Sequence, residues 1–181
     1  FTQDPGTRMQ YSTASTHLVS AVLTQVSGRS TMALAQDWLG PVPGFAISGW
    51  DRDPQGIYLG GNQMAMSTRS LLAFGKLYAQ DGQAGGQQVV SQDWIRASWE
   101  SRTASIFTGH GYGYGWFLGR FGGREARYGW GYGGQMIYVF PATRRRPAAV
   151  VAITSDPDQP SARTGYRNQL HGLTQQIAET I

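Results

Sequence analysis

The run Gln135-Met136-Ile137-Tyr138-Val139-Phe140, the connection from Pro141 to Pro147, and the run Ala148-Ala149-Val150-Val151-Ala152-Ile153-Thr154 decide the fold of this chain. Both runs are rich in β-branched and aromatic residues, which favour strands, and prolines bound the short link between them. An antiparallel hairpin follows. A third strand is predicted at about Tyr112 to Leu118. Past the hairpin, Tyr166, Leu170, Leu173 and Ile177 recur at helical spacing, which predicts a helix over about 164 to 180 whose apolar stripe lies on the sheet.

Toward the N-terminus, serines mark helix starts. Leu18, Val19, Val22, Leu23 and Val26 repeat at helical spacing from Ser15 to Gly28, predicting a buried helix with Tyr11-Ser12-Thr13 just ahead of it. Ser30 caps a second helix through Leu34, Trp38 and Leu39, which Gly40-Pro41 stops. Residues 41 to 66 show no sustained period and read as a long functional loop or lid. Ser67 caps a helix with Leu71, Phe74 and Tyr78 on one face, and Ser91 caps a short one carrying Trp94, Ile95 and Trp99. The class is therefore α+β, an antiparallel sheet flanked by helices.

The 181 residues suit one domain, which buries about 70% of the surface of its unfolded form. A hydrophobic content of 40% excludes general disorder. Without cysteine there are no disulfides, thiolate metal sites or cysteine nucleophile. The positive residues are Lys76 and fourteen arginines, giving a net charge of +4. Arg144-Arg145-Arg146 sits between two strand runs and reads as a solvated turn. The remaining arginines are scattered rather than interleaved with aromatics, so nucleic acid is not an expected partner. No apolar run is long enough to span a membrane. Phe1-Thr2-Gln3-Asp4-Pro5 has neither an initiating methionine nor the features of a signal peptide, so the chain reads as one that starts inside a longer domain.

Several motifs are excluded by context. Gly129, Gly131 and Gly134 match Gly-x-Gly-x-x-Gly in spacing, but a strand follows where a dinucleotide site needs a helix. Lys76 lacks the spacing of a phosphate loop. His17, His110 and His171 stand alone, so no metal and no cofactor are expected. The sequence contains no Gly-x-Ser-x-Gly elbow and no Ser-x-x-Lys pair, since Ala73 stands three residues before the only lysine. Tyr11 reads either as a general base, if a cation lowers its phenol from about 10, or as a packing tyrosine. Tyr132 reads as a site residue or a solvated strand-end aromatic. Trp116, Trp130 and Tyr114 line a cleft or pack in the core.

Four segments in order carry a family resemblance: Pro5-Gly6-Thr7-Arg8-Met9-Gln10-Tyr11-Ser12-Thr13 with its helix, Gly60-Gly61-Asn62-Gln63-Met64-Ala65-Met66-Ser67, Tyr112-Gly113-Tyr114-Gly115-Trp116, and Gly131-Tyr132-Gly133-Gly134-Gln135. Together they resemble the bacterial serine hydrolases related to class C β-lactamases, penicillin-binding proteins and esterases. The resemblance implies that residues 1–181 are the C-terminal portion of one such domain, incomplete at its N-terminus. Its Ser-x-x-Lys segment would come from the preceding part of the same domain.

Further implications of the resemblance are a small-molecule ester or amide substrate, an acyl-enzyme and a periplasmic or secreted location. Tyr11 matches the proton-transferring tyrosine of the second motif. Thr13 stands where the lactamases usually have asparagine, a departure that weakens the case for β-lactam hydrolysis. Tyr132-Gly133-Gly134 matches the third motif, with tyrosine where lysine or histidine is usual, and the Gln135 N–H would serve the oxyanion hole. Thr13, Tyr132, Gly133 and Gly134 would then bind substrate. The reading from a different class is a non-catalytic module that holds a glycan or peptide on an aromatic, glycine-rich sheet.

Overall fold

The structure is a computed structural model that describes residues 4, 6–156, 158 and 160–181. Phe1 to Gln3 and Pro5, which belong to the start discussed above, lie outside the described residues. The chain begins with α1 (Thr13–Ser27) and α2 (Thr31–Leu39), and a two-stranded hairpin of β1 (Gly49–Trp50) and β2 (Met64–Ala65) interrupts the long loop. Next come α3 (Thr68–Ala79), a second small hairpin of β3 (Gln83–Ala84) and β4 (Gln87–Gln88), and α4 (Gln92–Ser98). The main sheet contains β5 (Thr103–Ala104), β6 (Gly111–Tyr112), β7 (Phe117–Phe121), β8 (Arg124–Trp130), β9 (Met136–Phe140) and β10 (Ala149–Ile153), before α5 (Tyr166–Thr180). Ser12, Ser30, Ser67 and Ser91 each accept a bond from the N–H three residues on, so local capping chemistry sets four of the helix starts.

The strand order is β10-β9-β8-β7-β6-β5, antiparallel throughout, with Val150 opposite Val139 in the expected hairpin. This is the α+β class anticipated above, with more strands than the three predicted. The strand expected from Tyr112 to Leu118 divides into β6 and β7, because the Gly113 N–H bonds the Trp116 carbonyl at 2.9 Å and folds the chain back. Phe121 pairs with Arg124 across a two-residue turn whose Gly122 and Gly123 have φ of 55° and 73°. Such a turn matches the twist of a hairpin and requires glycine-like freedom at both positions.

β9 is the centre of the core, all five of its residues being buried. Met136, Tyr138 and Phe140 join Phe117, Phe121, Tyr128, Leu170 and Ala178 beneath α5, whereas Ile137 and Val139 join Tyr78, Ile95 and Trp116 beneath α3 and α4. Burying each large apolar side chain contributes about 1.5–3 kcal/mol, so these two layers hold the sheet between its helices. The stripe of α5 differs from expectation. Leu170, Thr174 and Ala178 are its buried positions, and Leu173 is 48% exposed. Thr174 and Ala178 continue the i, i+4 row from Leu170 that points at the sheet.

The prediction that α1 is buried is corrected. Leu18, Val19, Val22 and Val26 are 63%, 58%, 59% and 82% exposed, and Ser20 is the buried residue. The described residues contact α1 through its polar and small side. The Ser20 hydroxyl bonds the Tyr58 carbonyl at 2.6 Å, and His17 Nε2 pairs with Asp53 at 2.9 Å. Burial opposes ionisation of Asp53, but the Ile57 N–H, His17 and the Gln55 N–H outweigh it and keep the carboxyl below its usual range. Gly60 and Gly61 complete the seam. A Cβ on Gly60 would stand 2.5 Å from the Thr16 carbonyl oxygen, so only glycine allows this approach.

Candidate active site

Tyr11 precedes the capping residue of α1, on a segment fastened to the sheet by Met9. The Met9 side chain is buried in the larger core cluster, and its N–H bonds Thr103 Oγ1 on edge strand β5 at 3.0 Å. Tyr11 itself is 55% exposed. Its ring meets Phe107 edge-on at 5.7 Å, and Phe107 in turn meets Trp130 edge-on at 6.0 Å. Burial, and secondarily the neighbouring Tyr11 phenol, push the Tyr112 phenol up. Thr13, also exposed, opens α1 against Gly61: a Cβ there would lie 2.8 Å from Thr13 Cγ2.

The predicted third-motif turn joins β8 to β9. Gly131 closes it twice, its carbonyl accepting from the Gly134 N–H at 3.0 Å and its N–H donating to the Gln135 carbonyl at 2.8 Å. Tyr132 projects from the turn, 67% exposed, while Gly133 and Gly134 are buried. Gly134 has φ of 86°, and a Cβ there would stand 2.9 Å from Leu170 Cδ1. The Gln135 side chain bonds the Ser155 carbonyl at 3.0 Å, so it tethers β9 to the end of β10. Its backbone N–H meets no acceptor among the described residues.

Two residues without a sequence signal brace this turn. Ser161, fully buried, donates from N and Oγ to the Tyr132 carbonyl at 3.0 and 2.8 Å and accepts the Trp130 indole N–H at 2.9 Å. Arg167, in the first turn of α5, lies 4.9 Å over the Trp130 ring and bonds the Phe107 carbonyl at 3.3 Å. A fixed cation thus stands at the motif end of the sheet. Through Phe107 and Trp130, the segment carrying Tyr11 and the turn carrying Tyr132 to Gln135 stand at that same end.

The open aromatic assignments divide. Trp116 is core, Trp130 half-buried, and Tyr114 an exposed ring stacked on Trp94 at 5.5 Å with Arg102 over it at 4.9 Å. His110 and His171 pair with the Tyr128 and Tyr138 hydroxyls at 2.9 Å each, between the sheet and α5. Burial and the Arg167 charge lower both histidines, His171 to about 4 with His110 contributing. Among the described residues there is no cluster of His, Asp and Glu able to hold a metal ion, and no helix is long and apolar enough to cross a membrane.

The Beta-lactamase family profile matches residues 1–174. This chain belongs to the Beta-lactamase family. A solved structure from Bacillus anthracis, assigned as a 6-aminohexanoate-dimer hydrolase, superposes with a TM-score of 0.74 at 16% identity, covering 99% of this chain and 47% of that one. Another from Bacteroides dorei DSM 17855, assigned as a β-lactamase, gives a TM-score of 0.58 at 13% identity over 93% of this chain and 60% of its own. No protein of curated function matches the sequence. The chain thus has the serine-hydrolase fold of the Beta-lactamase family and spans about half the length of the first of these neighbours.

Proposed function

We propose that this chain supplies half of the active site of a serine hydrolase that cleaves a small ester or amide through an acyl-enzyme. The nucleophilic serine and its lysine belong to a Ser-x-x-Lys segment outside residues 1–181. Tyr11 transfers the proton between that serine and the leaving group, and the Gln135 N–H donates to the developing oxyanion. Tyr132, Gly133, Gly134 and Thr13 border the substrate. Arg167 offers the positive charge that position 132 lacks, which suits a substrate with an anionic end.

The observation that supports this reading is the Tyr11–Phe107–Trp130 series of ring contacts, which links the segment of Tyr11 to the strand that leads into the turn of Tyr132 to Gln135. The test joins the chain to a Ser-x-x-Lys segment that restores turnover of a short-chain ester. Residues 1–181 alone should neither turn over esters nor be labelled by a serine-directed phosphonate. In the completed enzyme Tyr11→Phe should lower kcat by at least about a hundredfold. Full activity of that variant would refute the role of Tyr11.

The exposed Trp94–Tyr114 stack supports a second reading, a module that binds glycans on aromatic faces. Saturable oligosaccharide binding lost in Trp94→Ala, in a completed chain without hydrolytic activity, would favour it.

A further inference from the structure

An open hollow of about 540 Å³ lies where the β7–β8 turn meets the β9–β10 connection. Arg124 and Trp130 stand at opposite ends of β8, which puts the hollow roughly 20 Å from the third-motif turn. Arg120, Arg124, Arg145 and Arg146 line it together with a single carboxylate, Glu125. Like charges gathered this way repel one another unless an anion offsets them.

The turn that presents these groups is fixed by its own bonds. The Thr143 N–H bonds the Arg146 carbonyl at 2.8 Å, and Thr143 Oγ1 accepts the N–H groups of Arg145 and Arg146 at 3.3 and 3.0 Å. The guanidiniums themselves are incompletely satisfied. Arg124, only 6% exposed, donates one terminal nitrogen to the Pro147 carbonyl at 2.7 Å, but its buried Nη1 has no partner among the described residues. Arg146 reaches the Ala178 carbonyl at 3.4 Å, and Arg120 donates one terminal nitrogen to the Gly123 carbonyl at 2.8 Å while the other lies 3.9 Å from Glu125. Among the described residues, no acceptor meets the Arg145 side chain. Burial and the Arg146 charge also hold the Arg124 guanidinium below its ordinary range.

We propose that this hollow is a binding site for a phosphate-bearing small molecule, held by the Arg145 and Arg146 forks against the wall formed by Arg120 and Arg124. A guanidinium pairs with two phosphate oxygens at once, and a phosphate carries up to two charges where a carboxylate carries one. Four guanidiniums line the hollow against one carboxylate, and Glu125 pairs more closely with Arg127, at 3.1 Å, than with Arg120, so a multiply charged oxyanion fits better. The space exceeds one phosphate group and admits the organic remainder. The site is separate from the proposed hydrolytic centre, and its occupancy does not depend on that reading.

Titration calorimetry of the protein with pyrophosphate tests the site, with acetate as the monovalent comparison. Saturable binding at least tenfold tighter than acetate is expected. Arg145→Ala should weaken it at least tenfold and Arg145→Lys by less, since lysine keeps the charge without the fork. Arg144→Ala makes the same charge change in the same turn but outside the lining, and should alter affinity less than twofold. Circular dichroism of these exposed-site variants confirms that they stay folded. Displacement by phosphatidic acid vesicles, but not by phosphatidylcholine vesicles, would identify a lipid headgroup as the source; no displacement would identify a free phosphate compound. Equal weakening by Arg144→Ala and Arg145→Ala, or no preference over acetate, would overturn the proposal.

Discussion

The Tyr11 ring stands edge-on to Phe107, with 5.7 Å between centroids and 80° between planes. That contact steers a half-exposed tyrosine that has its rotamer freedom otherwise. In the completed enzyme, Phe107→Ala should lower kcat about tenfold with little change in KM, because small misplacements of a reacting group are costly. Phe107→Leu should recover part of the loss. A change in KM alone would mean that Phe107 contacts substrate instead.

Ser161 braces the third-motif turn with no exposure to solvent. Ser161→Ala deprives the Tyr132 carbonyl of one donor and the Trp130 indole of its acceptor. Leaving such groups unsatisfied costs about 1–3 kcal/mol, which urea denaturation should register. Unchanged stability would show that water replaces both bonds.

Gly134 leaves no room for a side chain. A methyl group there meets Leu170 and Tyr166 while the backbone keeps its positive φ. Gly134→Ala should destabilise the protein by about 1–3 kcal/mol and, in the completed enzyme, reduce activity by displacing the Gln135 N–H. Gly123→Asn, at a hairpin position open to solvent, should be far milder, and equal effects would contradict this account.

Acid should weaken the packing of α5 on the sheet. His110 and His171 are neutral in the folded state, with lowered pKa values, whereas the unfolded chain takes up their protons near 6.5. The unfolded form therefore binds more protons, so their contribution is intact above about 6.5 and is lost as pH falls toward 4. The melting temperature should drop several degrees between about pH 7 and pH 5. His171→Phe also removes Nε2, which has no partner among the described residues, and should flatten that dependence. An identical slope in the variant would point to other groups.

Local chemistry was legible in the sequence where a few adjacent residues decide the outcome. Of the four serine caps, Ser12 alone is not predicted, since the apolar repeat begins only after Ser15; Ser30, Ser67 and Ser91 cap as predicted, and α5 starts at Gly165 with no side-chain cap. The β9–β10 hairpin follows from its strand formers. β8 was hidden because the charged Glu125 and Arg127 and the bare Gly129 alternate with its buried Arg124, Ala126 and Tyr128, which leaves few apolar residues to reveal the period. Apolar spacing located the face of α5 one position off, since the buried Thr174 and Ala178 weigh little in a hydrophobic count. It marked the stripe on α1, which the described residues leave exposed. For the candidate site, motif resemblance pointed to Tyr11 and the turn from Tyr132 to Gln135. Met9, Phe107, Ser161 and Arg167 act through contacts distant in sequence, which no short pattern encodes.

β9 bonds a neighbour along each edge and is covered on both faces, whereas α1 joins the described residues through the polar groups of His17, Ser20 and Thr24, the last two bonded to Thr31 of α2, and through two glycines. Amide protons in the two elements should therefore exchange with deuterated solvent at rates orders of magnitude apart, those of β9 only when the whole molecule unfolds and those of α1 during brief local openings. Tyr11 leads the short-lived element and Gln135 leads the long-lived one. The lifetime of the arrangement between them is the lifetime of the helix, so deuterium uptake in α1 measures how long the proposed proton carrier stays in place.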